Sequence, residues 1–309
     1  MRARDVLRHG AVSSGAVALL LTACTVSGGG AAESVSPSPT RSAEASPSAI
    51  VATATPSTPS TPTPTPRPDP PVAASDPDAL ASQMVSAERA IRDPGVTGAD
   101  LAWFGHLQQL TYRRLAASPE LHDTVLAAVP ADLKAAATAN ADATADLRAT
   151  VVPGPDLPAA WRIVEPAPID DLARYYRDAE AEFDVPWSYL AAIHLVETRM
   201  GRIRGTSTAG AQGPMQFIPA TWARYGEGDI NSDRDSIRAA ARYLRANGAP
   251  GNMANALFRY NQSQRYVRAV TAYAEVMRAD PDAYRGYYHW QVYYLTTHGD
   301  ILLPVGYGR

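Results

Sequence analysis

The chain has a single cysteine among its 309 residues, Cys24, so no disulfide can close within it. Its six histidines are scattered, which with one cysteine excludes a structural zinc site of the usual kind. His194 and Glu197 stand three residues apart, which is not the HExxH spacing of a zinc protease. There is no Gly-x-Ser-x-Gly elbow and no phosphate-binding P-loop. The run Asp229-x-Asn231-x-Asp233-x-Asp235 has calcium-loop spacing. Position six is however Arg234 where glycine is needed, and position twelve is Ala240 where glutamate is needed. These residues are read as a turn and a helix cap, with Asp235 as the cap, and no metal or cofactor is expected. The net charge of −3 argues against general affinity for nucleic acid or anionic surfaces. Lysine is nearly missing too, Lys134 being the only one, and coding composition accounts for that more simply than phosphate binding.

What is present falls into unlike parts. Arg2, Arg4 and Arg8 precede a short apolar stretch from Ala11 to Leu21, and small residues follow. The stretch is too short to span a bilayer as a mature helix and reads as a secretory signal over residues 1–23. Leu21-Thr22-Ala23-Cys24 is similar to a bacterial lipoprotein box. That likeness implies cleavage before Cys24, its lipidation, and export to the outer face of the bacterial cytoplasmic membrane, within the cell envelope. Two or more acyl chains would hold stably, whereas one would be marginal. Residues 24–75 are rich in Ser, Thr, Pro and Ala and nearly devoid of large apolar side chains. Such a segment cannot bury enough surface to offset its ordering entropy and is expected to be a disordered tether. It would reach on the order of 40 Å as a coil and about 150 Å drawn into polyproline II. A tethered chain of this kind favours a monomer.

Hydrophobic residues make up 46% of the chain, enough for a substantial core beyond the tether. Residues 76–158 are expected to form an N-terminal helical segment. Asp76-Pro77 is a helix start, followed by Leu80, Met84, Ala87 and Ile91 at helical spacing. A second helix carries Leu101, Phe104, Leu107, Leu110 and Leu115, Ser118-Pro119-Glu120 caps a third, and Ala131 to Thr150 is a fourth. Pro153, Pro155 and Pro158 interrupt the pattern and suggest a lobe boundary. Helices resume with Ile169, Leu172, Tyr176, Ala179 and Phe183 on one stripe, and the next starts after Val185-Pro186 and ends at Gly201. Ser263 begins a further helix bearing Tyr266, Val267, Val270 and Met277. Only the C-terminus reads as strand, with residues 291–297 and 301–305 flanking His298-Gly299-Asp300 in one hairpin. The expected fold class is mainly α with a small C-terminal β-hairpin. Tyr284, Tyr287, Tyr288, Trp290, Tyr293 and Tyr294 cluster there and are read as core filling in preference to a glycan platform.

Glu197 closes the apolar run Leu190-Ala191-Ala192-Ile193-His194-Leu195-Val196. A carboxylic acid set in apolar surroundings keeps its proton near neutral pH, because burial penalises the carboxylate. Thr198-Arg199-Met200-Gly201 follows, then Gly213-Pro214-Met215-Gln216-Phe217-Ile218-Pro219, Gly228-Asp229-Ile230-Asn231, and Arg259-Tyr260-Asn261-Gln262-Ser263. These four motifs, in this order, resemble the lytic murein transglycosylases, in the branch with a Gly-Pro-Met-Gln-Phe loop. The match covers roughly residues 172–279.

The resemblance implies a lysozyme-like catalytic domain over residues 159–309, acting on peptidoglycan glycan strands. Glu197 would act first as acid on the bond between N-acetylmuramic acid and N-acetylglucosamine. It would then act as base toward the muramoyl C6 hydroxyl, leaving a 1,6-anhydromuramoyl end. Ile193, Val196, Met215 and Phe217 would supply its apolar pocket. Gln216 would orient the sugar or Glu197, Tyr260 would bind the sugar and support the intermediate, Asn261 would bind an acetamido group, Tyr266 would line the cleft, and Ser207 is a further binding candidate. Thr198 stands where many relatives carry serine, and its hydroxyl survives. Arg202 and Arg204 are candidates for peptide-stem carboxylates, although exposed arginines commonly just solvate a surface. A hydrolytic muramidase would need a second carboxylate to activate water, for which Asp229 or Asp233 is the nearby suggestion. The other alternative is a non-catalytic glycan-binding envelope protein.

Overall fold

The structure is a computed structural model that describes residues 68–308. The expected signal peptide, the lipidation site Cys24 and the tether up to Arg67 lie outside the described residues. The remaining residues expected in the tether, 68–75, are held against the fold. Pro71 is buried, and Gln83 grips the segment by accepting from Ala74 N and donating to Val72 O. The folded part therefore begins before Asp76.

Four helices come first: α1 (Pro77–Arg92), α2 (Gly98–Ala117), α3 (His122–Ala128) and α4 (Ala131–Arg148). Asp76 caps α1 as its sequence suggests, its Oδ1 accepting from Ala79 N at 2.9 Å. After the proline-rich link come β1 (Arg162–Ile163), α5 (Ile169–Phe183), α6 (Trp187–Thr198) and β2 (Ile203–Arg204). Next are α7 (Pro219–Tyr225), α8 (Asp233–Ala246), α9 (Met253–Tyr260), α10 (Gln264–Ala279) and α11 (Ala283–Tyr288). The chain ends in β3 (Val292–Thr296) and β4 (Gly299–Leu303), antiparallel with Tyr294 opposite Ile301. The expected hairpin is there. A second antiparallel pair, β1 with β2, is not legible in the sequence because each strand is two residues long.

α6 is apolar all round and is buried from Ser188 to Leu195, as a central core helix must be. α10 packs on α6 with one face and on α4 with another. Consequently the prolines at 153–158 do not divide the core: Leu133, Ala137 and Ala141 of α4 belong to the same apolar cluster as Leu190, Ile193 and Val270. Two helix ends differ from expectation. α6 stops at Arg199, not Gly201, because Arg199 and Met200 both turn left-handed (φ 55° and 58°). α8 is capped by Ser232, whose Oγ accepts from Asp235 N. The Asp235 carboxylate instead receives Asp229 N at 3.0 Å and closes the preceding turn.

The N-terminal helices are joined through a buried acid. Glu88 is fully buried on α1 and receives Gln108 Nε2 (2.9 Å), the Tyr112 hydroxyl and the Arg92 guanidinium. Gln108 Oε1 in turn accepts from Trp290 Nε1 at 2.9 Å, which carries the network to the C-terminal segment. Removing a buried, paired charge leaves its partners uncompensated, so Glu88→Ala is expected to cost about 3–5 kcal/mol. Chemical denaturation of the variant measures this, and a loss below about 1 kcal/mol would show that the network contributes little.

Candidate active site

Glu197 sits on the last turn of α6 and keeps one face open to a cavity. Ile193, Met215 and Phe217 are buried as expected, while Val196 is half-buried and lines the cavity itself. Tyr266 is more than a cleft-lining residue: its hydroxyl donates to Glu197 Oε1 at 2.7 Å. Ser263 makes that contact possible. Its Oγ accepts from Tyr266 N and caps α10, so Tyr266 lies in the first turn of the helix that crosses α6.

Burial pushes the Glu197 carboxyl up to about 7, and the Tyr266 hydrogen bond, which favours the charged form, opposes it. With Tyr266 donating to Oε1, Oε2 is left to carry the proton. The acid is therefore protonated over much of the range below neutrality.

The loop after α6 is bound to it by one hydroxyl. Thr198 Oγ1 donates to Pro214 O at 2.6 Å and accepts from Gly201 N at 3.1 Å, so it joins the helix end to the Gly213–Phe217 turn. Gly213 has φ +73°, and a Cβ there would stand 2.0 Å from Ile230 O, so only glycine fits the turn. Tyr260 lies close enough to Glu197 for the charge to raise its own phenol, after burial, well above the ordinary value. Its hydroxyl, however, donates to Met215 O at 2.6 Å. Tyr260 thus braces the loop, where the sequence suggested hydroxyl support of an intermediate. Gln216 is left-handed (φ 52°), and its Nε2 donates to Gly213 O at 2.9 Å, not to Glu197. Ser207 also serves a turn, its Oγ accepting from Ala211 N. Asn261 is exposed at the end of α9.

The cavity beside Glu197 has a volume of about 240 Å³. Its walls come largely from outside the motif-bearing segment: Gln109 and Arg113 of α2, Thr144 and Arg148 of α4, Trp161, and Tyr293 and Tyr294 of β3. The C-terminal aromatics are therefore divided. Tyr284 and Tyr287 fill the core, while Trp290, Tyr293 and Tyr294 face the cavity. Glu197 is the only carboxylate in the lining. Asp233 is engaged elsewhere, with Arg204 at 3.2 Å and His194 at 3.4 Å, and those partners hold it below the usual carboxylate range against the effect of burial. Asp229 is exposed, and its Oδ1 accepts from Asn231 N. Among the described residues no group of three or more His, Cys, Asp or Glu could hold a metal ion.

Residues 174–280 match the family described as Transglycosylase SLT domain, a stretch that begins in α5 and ends just beyond α10. The chain carries such a domain. Over 127 residues it is 30% identical to a Membrane-bound lytic murein transglycosylase F from Thiobacillus denitrificans (strain ATCC 25259 / T1). The match covers 38% of this chain and 27% of that protein, so the chain spans about a quarter of the relative's length. No solved structure matches it.

The raised acid has a signature in stability. Between the ordinary carboxyl value of 4.5 and about 7, the folded state holds a proton that the unfolded state has lost. Stability should then fall as pH rises through that window, by about 3 kcal/mol in total. Thermal melts from pH 4 to 8 are expected to show this fall in the wild type and not in Glu197→Gln. In Tyr266→Phe, which lacks the opposing hydrogen bond, the fall should extend to higher pH. Superimposable profiles for all three proteins would refute the assignment.

Proposed function

We propose that the chain is a peptidoglycan lytic transglycosylase that cuts the β-1,4 bond between N-acetylmuramic acid and N-acetylglucosamine without water. The observation that carries this reading is a single carboxyl, raised by burial, in a cavity whose lining holds no other acid among the described residues. Ordinary glycosidases need two carboxyl groups, one for the leaving oxygen and one for water or the sugar. One suffices if the nucleophile is internal.

Glu197 gives its proton from Oε2 to the glycosidic oxygen as the bond to the muramoyl anomeric carbon breaks, with the muramoyl N-acetyl group assisting. The resulting carboxylate takes the proton of the muramoyl C6 hydroxyl as that oxygen closes on the anomeric carbon. The enzyme regains its acid form, and the products are a free 4-hydroxyl and a 1,6-anhydromuramoyl end. Tyr266, donating to Oε1, stabilises the carboxylate between the two steps. Asp233, one of the two carboxylates that a hydrolytic muramidase could draw on, is engaged with His194 and Arg204.

Mass spectrometry of soluble products from purified sacculi tests the reaction, with the wild type set beside Glu197→Gln. Anhydromuramoyl ends that vanish in the variant are expected, with at least a 10²-fold loss of rate. Reducing muramic ends would instead identify a hydrolase, and no release by folded wild type would favour a binding protein.

Lipid anchoring at Cys24, on the outer face of the cytoplasmic membrane, is the location we propose, and with it a monomer held within reach of the wall. Its support is the Leu-Thr-Ala-Cys sequence and the Pro-rich segment behind it. No described helix is long and apolar enough to cross a membrane. Labelling of cells with a fatty-acid analogue should mark the wild type and leave Cys24→Ser unmarked, and equal labelling of both would end this proposal.

A further inference from the structure

The cavity beside Glu197 carries more positive charge than the protein neutralises. Arg113, Arg148 and Arg199 line it, with Glu197 as the only acid in the lining. Asp300 pairs with Arg113 at 2.7 Å and with Arg148 at 2.9 Å, so one carboxylate serves two guanidiniums. Arg199 has no such partner. Its Nη1 donates to Leu195 O at 2.6 Å, and among the described residues it makes no ion pair. Burial, and then the neighbouring Arg113, bring Arg199 down to about 10, with Tyr273 acting the other way. Arg113 Nε is also buried without a hydrogen-bond partner among the described residues.

A cation in an apolar enclosure is costly unless something anionic completes it. Arg202 and Arg204 do not line this cavity and have acidic partners of their own, although Arg202 Nε is buried without a hydrogen-bond partner among the described residues. Arg202 meets Glu165 and Tyr288 O, and Arg204 meets Asn231 O and Asp233, so neither is free for the stem carboxylates that the sequence suggested. Size narrows the occupant further. At about 240 Å³ the cavity falls below the roughly 300–1,000 Å³ of sites that enclose drug-sized ligands. It therefore suits one group projecting from a polymer better than a length of the polymer itself.

We propose that Arg199, together with Arg113, forms an anion subsite that takes a carboxylate borne by the muramoyl residue at the scissile bond. This rests on the glycan-cleaving reading above and adds to it a determinant of substrate choice. The carboxylate belongs either to a free lactyl ether or to the amino acids attached to it. Both present the same planar pair of oxygens, which a guanidinium fork binds in two parallel hydrogen bonds. Glycan chains without a lactyl group have nothing to place there.

Calorimetric binding to the full-length chain tests this with three probes: N-acetylmuramic acid, its neutral methyl ester, and muramoyl dipeptide. The acid is expected to bind at least about tenfold more tightly than the ester. Arg199→Gln should abolish the difference and Arg199→Lys should restore part of it. If the dipeptide alone shows Arg199-dependent binding, the subsite stands with the stem as its source. Equal binding of acid and ester, or no binding of any probe to folded wild type, overturns it. Arg113→Gln replaces Arg199→Gln if the latter does not melt cooperatively. Because binding requires no bond cleavage, the two proposals can fail separately. Absence of product release from sacculi removes the transglycosylase reading and leaves the probe results standing. Anhydromuramoyl release with unchanged kinetics in Arg199→Gln and no preference for the acid removes only the subsite.

Discussion

Keeping the Glu197 proton in place near neutral pH is the constraint around which this molecule is arranged. A carboxyl shifts upward only where water is excluded, so the residue must end a helix that is itself in the core. α6 meets that demand by being apolar on every face, at the cost of any solvated stripe. One hydrogen bond is admitted, from Tyr266, and it works against the shift. The balance lies with burial. The same hydroxyl that slightly loosens the hold on the proton would stabilise the carboxylate whenever the proton has gone.

Exclusion of water on the cavity side depends on segments far away in sequence. The stretch that matches the SLT domain supplies the acid, Tyr266 and the braced loop, but α2, α4 and β3 supply most of the facing wall. α10 connects the two. It carries Tyr266 toward Glu197, and through Tyr273 it meets Thr144 of α4 at 3.0 Å. Arg265 and Arg268 of the same helix both pair with Asp146. Those surface pairs are individually weak. The buried packing between α10 and α4 gives the wall its fixed position, and for that reason the proline link at 153–158 separates sequence patterns without separating cores.

Much of this was legible in the sequence. The apolar run ending in Glu197, the glycine-rich loop and the Asn-Gln-Ser start of α10 mark the acid and the helix that serves it. Helical periodicity recovers α1 and α5, whose buried residues lie on one stripe; α2 is found too although it is buried around much of its surface, and α4 is marked by its alanines. Periodicity shows which face is apolar, not what it faces, and so the contribution of α2 and α4 to the cavity could not be read. The same limit applies to Tyr260, Gln216 and Ser207. Each of them also makes a backbone contact that no sequence pattern reports, to Gly213 O from Gln216 Nε2, to Met215 O from the Tyr260 hydroxyl, and from Ala211 N to Ser207 Oγ. Gly201 looked like the helix terminator since glycine usually supplies the left-handed residue. Here Arg199 and Met200 take that conformation first, held by Thr198 and by the Tyr176 hydroxyl on the Met200 sulfur.

That left-handed turn has a chemical consequence. Two non-glycine residues in succession at positive φ are unfavourable and persist only where their surroundings demand it. The turn sets Arg199 next in space to the cavity instead of continuing the α6 helix, and so an acid and an unpaired cation share one enclosure. A cation close to Glu197 would favour the carboxylate and lower its affinity for the proton. Burial raises the Glu197 carboxyl all the same, and the Tyr266 hydrogen bond only partly opposes it. The Arg199 guanidinium and the Glu197 carboxyl line the same cavity. On the reading proposed above, the two groups would address different atoms of one substrate, the acid at the bond to be broken and the cation at the group that projects beside it.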